Sequence, residues 1–491
     1  MRSFGVIGLV TASLVSALYA CGGSTGDAPA PAATPAPTAT SSGTTSVVDL
    51  PPPATKPATP PKADTWAKVP DEPTSVAGVI PLGTVLPGQE VTFDLPEGTL
   101  GFNVVARGSG QELAVKDIKA PSGSYVHKDM VPFSGTGATS MSLFGEVASA
   151  GVPQSNHPEA MPKVAAGKWS VVFSSQGSVE ADIRYQQTPD GVFHGGYVDI
   201  HAYLPVGLEV DSDVVDADNF EKLDGIRERL DAFGAAIKKL YGLSRGNVTF
   251  HLMDTKYLNL TDSKLGRAFK ETKTTKTGVQ ALHIFFSEPT KGQGWWGIAS
   301  GIPGAATVTG TTQSGIALAL SSWADADAEG FVLAHEMGHF VGLNHISEFD
   351  GYGNDPLEDT KECPNMTQSN FFSCPDANNI MAAAGATRGS VFASKLQQRV
   401  VQGSPIFRAF TTGAAPTQTS FRAPDFGKMF GHPGVAPSGI ESVVLAASCG
   451  HVSHGKVRVT ASMRTQLTEL AQRGNVSPLV RNLAETLAAQ P

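Results

Sequence analysis

The sequence predicts an α+β protein: an all-β sandwich module, then a domain of interleaved strands and helices, then a small helical tail. Three observations predict it. Residues 75–192 hold short apolar–polar alternations broken by glycine and proline, the period-two pattern of strands, with no long helical period among them. Residues 193–412 mix strand-like runs with stretches of helical spacing. Residues 413–491 start as loop and end in an amphipathic helix.

Residues 1–21 read as an export signal, with Arg2 followed by an apolar stretch too short for a membrane span. The stretch ends in "LYAC", followed by Gly22 and Gly23. This resembles the bacterial lipobox, which implies that Cys21 becomes a lipidated first residue. Tyr19 is bulkier than that motif carries, which keeps ordinary cleavage near "ALYA" as the alternative. Both readings export the mature chain. With lipid it is an outer-membrane or cell-surface lipoprotein anchored in the membrane; without lipid it is secreted.

Residues 22–74 are rich in Pro, Ala and Thr, as in "APAPAATPAPTATSSGTT", and bury too little apolar surface to fold. They read as a tether. The 491 residues are 41% hydrophobic overall, which suits folded domains beyond the tether, and a net charge of −9 gives no basic footprint, so no nucleic-acid partner is expected.

In the sandwich module, "QEVTFDL", "GFNVVARG", "KWSVVFSS" and "VEADIRY" are the strand candidates. The passage "VAAGKWSVVFSSQGSVEADIRY" resembles the last strands of small jelly-roll modules that accompany secreted peptidases; a generic sandwich is the alternative. In residues 193–412, "YVDIHAYL", "VTFHLM", "ALHIFFS" and "GIALAL" read as strands. Phe220, Leu223, Ile226, Leu230, Phe233, Ile237 and Leu240 recur at helical spacing. The tail ends in "SPLVRNLAETLAAQ", with Ser477 as N-cap and Pro478 at the first helical position.

The chain has 12 histidines, and "HEMGHFVGLNH" crowds three of them into residues 335–345. His335 and His339 are four apart, so a helix projects both from one face. Asp325 or Asp327 caps that helix, and Phe331, Val332, Leu333 and Phe340 supply its packing. Two imidazoles so placed share one zinc ion. On a continued helix His345 would turn roughly 240° away and move roughly 9 Å along the axis. The helix must therefore break, and Gly342 sits where a positive φ would end it.

The spacing H-E-x-x-H-x-x-G-x-x-H resembles the metzincin zinc peptidases. The resemblance spans about 200 residues and implies a metzincin-like catalytic domain, a twisted mixed sheet with an active-site helix, carrying His335, His339 and His345 as zinc ligands and Glu336 as general base. Three neutral imidazoles leave one coordination position open, as a catalytic site requires. It also implies a methionine turn beneath the metal, which "NNIMAAAG" offers at Met381. A substrate of such an enzyme lies extended along an edge strand, for which "ATVTG" or "GIALAL" is the candidate segment.

Among metzincins, "DPLEDTKECP…FFSCPDANNIM" is similar to pappalysin-like enzymes, with Asp359, Thr360, Cys363 and Cys374 in matching places. The sequence departs from better-known subfamilies in Ile346 after His345 and in lacking a tyrosine close after Met381. Outside the cytoplasm a disulfide is allowed, and Cys363 with Cys374 closes a short loop. Two free thiols are the alternative, and Cys449 is left over. The subfamily resemblance implies calcium in the acidic loop, with Asp350, Asp355, Glu358 and Asp359 as ligands; an ordinary solvated loop is the alternative. "CGHVSH" matches no zinc pattern and reads as a polar loop. The expected reaction is hydrolysis of protein or peptide substrates. The competing expectations are a catalytically silent surface binding or scaffold protein and a zinc hydrolase of other bonds.

Overall fold

Alternating apolar residues build eight strands, β1 (Val76–Val85), β2 (Glu90–Leu95), β3 (Thr99–Arg107), β4 (Ala114–Lys119), β5 (Tyr125–His127), β6 (Val147–Val152), β7 (Gly167–Ser174) and β8 (Val179–Gln187). The computed structural model describes residues 74–108, 113–128, 146–272, 280–289, 295–321, 324–347, 355–363, 366, 373–383, 389–417, 419–451 and 459–489. Cys21 and residues 22–73 of the tether lie outside the described residues, while Thr74 bridges to Phe410. The eight strands form two antiparallel sheets, ordered β1-β8-β3-β6 and β2-β7-β4-β5. Between them Phe102 meets Phe93 and Trp169 edge-on, in a core with Val104, Val171, Phe173 and Ile183.

β3 and β6 are buried almost throughout because both of their faces are covered. Phe102 and Val104 point into the sandwich core, while Val105 and Val147 meet Ala305 and Val308 of the following domain. Polar residues stitch the same boundary. Ser149 Oγ donates to the Pro303 carbonyl at 2.7 Å, and Gln313 Nε2 donates to the Val147 carbonyl at 3.0 Å.

The next domain opens with β9 (Gly196–Pro205), the short hairpin β10 (Glu209–Val210) and β11 (Asp213–Val214), and α1 (Asp224–Tyr241). It continues through β12 (Leu243–Met253), α2 (Asp262–Phe269), β13 (Ala281–Ser287), β14 (Gly297–Ala299), β15 (Ile316–Ala319) and α3 (Ala326–Phe340). Then come β16 (Ser390–Val391), α4 (Lys395–Gly403), β17 (Arg408–Ala409), β18 (Phe421–Arg422), α5 (Ile440–Ser448), β19 (Cys449–His451), α6 (Ala461–Gln472) and α7 (Pro478–Ala488). The chain is thus α+β. Among the described residues no helix is long and apolar enough to cross a membrane.

The large sheet runs β12-β9-β13-β15-β14-β19, with β17 pairing β9. β12, β9, β13 and β15 are mutually parallel, and β14 is antiparallel to β15. Two expectations change here. "GIALAL" forms β15 inside the sheet and "ATVTG" is loop, so β14 is the strand that lies between the parallel set and its margin. Phe220 and Leu223 precede α1, because Asp216 accepts the Asp218 and Asn219 amides and holds that segment as a turn. Gly330 lets α1 and α3 cross closely, since a Cβ there would stand 2.6 Å from the Phe233 nitrogen. Beside that crossing, buried Arg229 pairs with Glu329 and Asp211.

The tail shares the large domain's core. Val443, Val444, Leu467, Leu470, Leu479 and Leu483 lie in the same apolar cluster as the sheet. Ser477 accepts the Val480 amide and Pro478 opens α7.

Candidate metal centre

Helix α3 begins where Asp325 accepts the Ala328 amide. From Ala328 to Phe340 every residue is buried, so the helix is a core element. Its far end closes with two reciprocal bonds, the Gly342 amide to the His339 carbonyl at 2.9 Å and the Leu343 amide to the Gly338 carbonyl at 2.8 Å. Gly342 takes φ +119°, which favours glycine. The chain reverses there and returns His345 to the face that carries His335 and His339.

The three Nε2 atoms stand 3.2 Å (His335–His345), 3.1 Å (His335–His339) and 3.1 Å (His339–His345) apart. Bonds of about 2.0–2.1 Å to a tetrahedral zinc require ligand nitrogens roughly 3.3–3.4 Å apart, so small outward motions suffice. Backbone carbonyls set two of the rings. His335 Nδ1 meets the Ile380 carbonyl and His339 Nδ1 meets the Leu343 carbonyl, each at 2.7 Å. A carbonyl only accepts, so each Nδ1 carries the hydrogen and each Nε2 keeps its lone pair. Three buried Nε2 atoms so converged, two of them with the lone pair fixed toward the centre, fit a divalent cation such as zinc. Among the described residues no other group of three metal-binding side chains comes together this closely.

Glu336 is buried beside this triad, and neither of its oxygens has a hydrogen-bond partner among the described residues. Burial pushes its carboxyl well above the usual range. The Ala299 amide offsets this in part without meeting hydrogen-bond geometry. Gly297 makes the room, because a Cβ there would stand 2.7 Å from Glu336 Oε1. A buried, unpaired carboxylate is costly and suits a place where a cation and a polar reactant belong.

Met381 is buried under the helix, and a Cβ on Gly338 would lie 2.7 Å from its sulfur. The turn around it is fastened by Asn379, which the sequence reading passes over. Asn379 Oδ1 accepts the Met381 amide and Nδ2 donates to Gln397 Oε1, each at 2.8 Å. The "NN" before Ile380 is the only local hint of that role. Gln154 is also missed. From the sandwich, its Nε2 donates to the Gly342 carbonyl at 3.0 Å.

Cys363 and Cys374 form a disulfide that packs beside Met366, Ala382 and Ala383, next to the methionine turn. Among the described residues the calcium candidates are not gathered. Asp350 lies outside the described residues, and Glu358 is exposed. Asp355 accepts from the Thr360 hydroxyl, while Asp359 accepts from Ser394 Oγ at 2.6 Å and the Leu396 amide at 2.9 Å. Asp359 thereby ties the acidic loop to the start of α4.

No family model matches the chain, and no curated protein matches it. Among solved structures the chain is similar to Bacillus licheniformis lipase BlEst2 in its propeptide form, at 19% identity over 23% of this chain and 22% of that one, with a TM-score of 0.16. The chain thus spans about a fifth of that lipase's length. It is also similar to a family two carbohydrate esterase from Cellvibrio japonicus, at 14% identity over 43% of this chain and 67% of that one, with a TM-score of 0.10. At such TM-scores neither likeness carries an argument.

Proposed function

We propose that the chain is a zinc-dependent endopeptidase with a metzincin-like catalytic domain, acting on extracellular or envelope proteins after export. The observation that carries this reading is the convergence of three buried imidazole Nε2 atoms beside an unpartnered buried carboxylate. The spacing of the motif supplies the family, and the disulfide at Cys363–Cys374 suits an oxidising compartment. The lipid anchor at Cys21 and the pappalysin-like subfamily belong to the same proposal.

His335, His339 and His345 would hold the ion, which when bound supplies Lewis-acid activation of water and of the scissile carbonyl. The chain's own residues do the rest. The Ile380 and Leu343 carbonyls fix the tautomers of His335 and His339. Glu336 accepts the proton of the attacking water at its carboxylate and delivers it to the departing amine. The burial of α3 keeps bulk water from that carboxylate. No covalent bond to the protein forms.

The test compares the unsubstituted protein with Glu336→Gln, measuring zinc per chain and casein hydrolysis. One zinc in each protein and a loss of at least about a hundredfold in rate is the expected result. Equal hydrolysis by both proteins, or none by either when zinc is bound, would overturn the reading; the second outcome identifies a silent binding protein.

A further inference from the structure

Strand β14 lies at the candidate site itself. Gly297 packs against Glu336 and Val332 of α3, and the Ala299 amide faces the Glu336 carboxylate. An extended peptide added to this strand would pass directly beside the three histidines. That position is occupied by the chain's own backbone. β19 pairs with β14 in parallel register, Cys449 opposite Gly297, Gly450 opposite Ile298 and His451 opposite Ala299. β19 also lies against α3. Neighbouring strands sit about 4.7–4.9 Å apart, so a second strand has no room on that side of β14 while β19 is there.

We infer that residues 449–451 are an intramolecular occupant of the peptide-binding edge, and that a protein substrate reaches the histidines by displacing them. This rests on the endopeptidase reading. The architecture suits a removable occupant. β19 is three residues long and parallel to its partner, the less stable pairing. It follows α5 with no intervening residue, and α5 is held by buried Ile440, Val443, Val444 and Leu445. The strand can therefore leave the edge while the helix that delivers it stays docked. A substrate segment longer than three residues makes more backbone bonds to the same edge than β19 does. The ligand class is an extended, unfolded peptide, and the discrimination is against folded chains that offer no strand.

The test uses the whole mature chain carrying Glu336→Gln, so that bound substrate is not consumed, with fluorescein-labelled unfolded casein as the probe. Gly450→Pro and His451→Pro are compared with it. Successive residues of a strand aim their backbone groups to opposite sides, so one of the two prolines deletes a bond to β14. If β19 occupies the edge nine-tenths of the time or more, freeing it tightens casein binding by about tenfold or more. Hydrogen exchange supplies a reading that needs no proline variant. Amides of 297–299 and the β14-facing amides within 449–451 are protected in the free protein, and casein raises exchange at the latter while 297–299 stay protected. Casein bound with 449–451 still protected, or proline variants that open the ladder without tighter binding, would overturn the inference. Failure of the peptidase reading shows separately, as no casein hydrolysis by zinc-loaded protein with Glu336 intact.

Discussion

Replacing Gly342 with alanine tests the turn on which the site depends. The substitution has two costs. At φ +119° an L side chain is strained, by about 1–3 kcal/mol. The new Cβ would also stand 2.5 Å from Gln154 Nε2, which must retreat from the Gly342 carbonyl it now holds at 3.0 Å. Losing that bond costs about 0.5–1.5 kcal/mol more. The sum, about 2–4 kcal/mol, falls on the segment that returns His345 to the other two rings. Where the strain is relieved by letting His345 drift, zinc affinity falls by roughly 1.5–3 powers of ten. Competition with a chromogenic chelator measures that constant, and a thermal melt of the metal-free protein measures the remainder. Gln154→Ala alone deletes the same bond and leaves glycine at the strained φ, so that variant should show only about a third of the loss. Gly342→Ala with zinc affinity within twofold of the unsubstituted protein and an unchanged melt would refute this account of the turn.

Three further outcomes follow from buried groups elsewhere. Burial pushes His127 down to about 4 and His283 down to about 3, the latter helped by His201 and His251. A neutral buried histidine contributes stability that is complete above its unfolded value near 6.5 and is lost as pH falls toward its folded value. Urea unfolding at pH 7 and pH 5 should therefore differ, and His127→Gln should shrink that difference by about 2 kcal/mol. Reducing the Cys363–Cys374 disulfide, which spans 11 residues, should cost up to about 3 kcal/mol and lower the melting temperature, while Cys363→Ser with Cys374→Ser should be insensitive to reductant. Asn379→Leu leaves the buried Met381 amide without its acceptor, so it should destabilise by about 1–3 kcal/mol and weaken zinc binding, read by calorimetry and by chelator competition.

The candidate site was legible to the extent that its parts are close in sequence. His335, Glu336, His339, Gly342 and His345 lie within one helix and its turn, where periodicity and the conformational freedom of glycine govern geometry. Gln154 was not legible, because it acts on Gly342 from 188 positions away and nothing local marks a glutamine that caps a distant carbonyl. The same holds for Gly297, whose role appears only when β14 is seen against α3. Strand periodicity gave the sandwich, yet it mistook the sheet's margin. "GIALAL" is more apolar than "GIA" because it is interior, while the marginal strand is short and its neighbour β19 comes from the far end of the chain. Helical spacing overran the start of α1, since apolar residues in the preceding turn fall on the same period. Apolar faces in the tail signalled helices but not what they pack against.

The grip of Gln154 on the Gly342 carbonyl also has a consequence for the order in which the molecule is made. A chain synthesised from its N-terminus completes β8 about 150 residues before His335 emerges. The surface offered by Ser149, Gln154 and Val105 is then already standing when the bend at residue 342 has to form. The sandwich thereby serves as a mould for its younger neighbour, and a nascent histidine helix born without it would lack the wall against which its bend is cast.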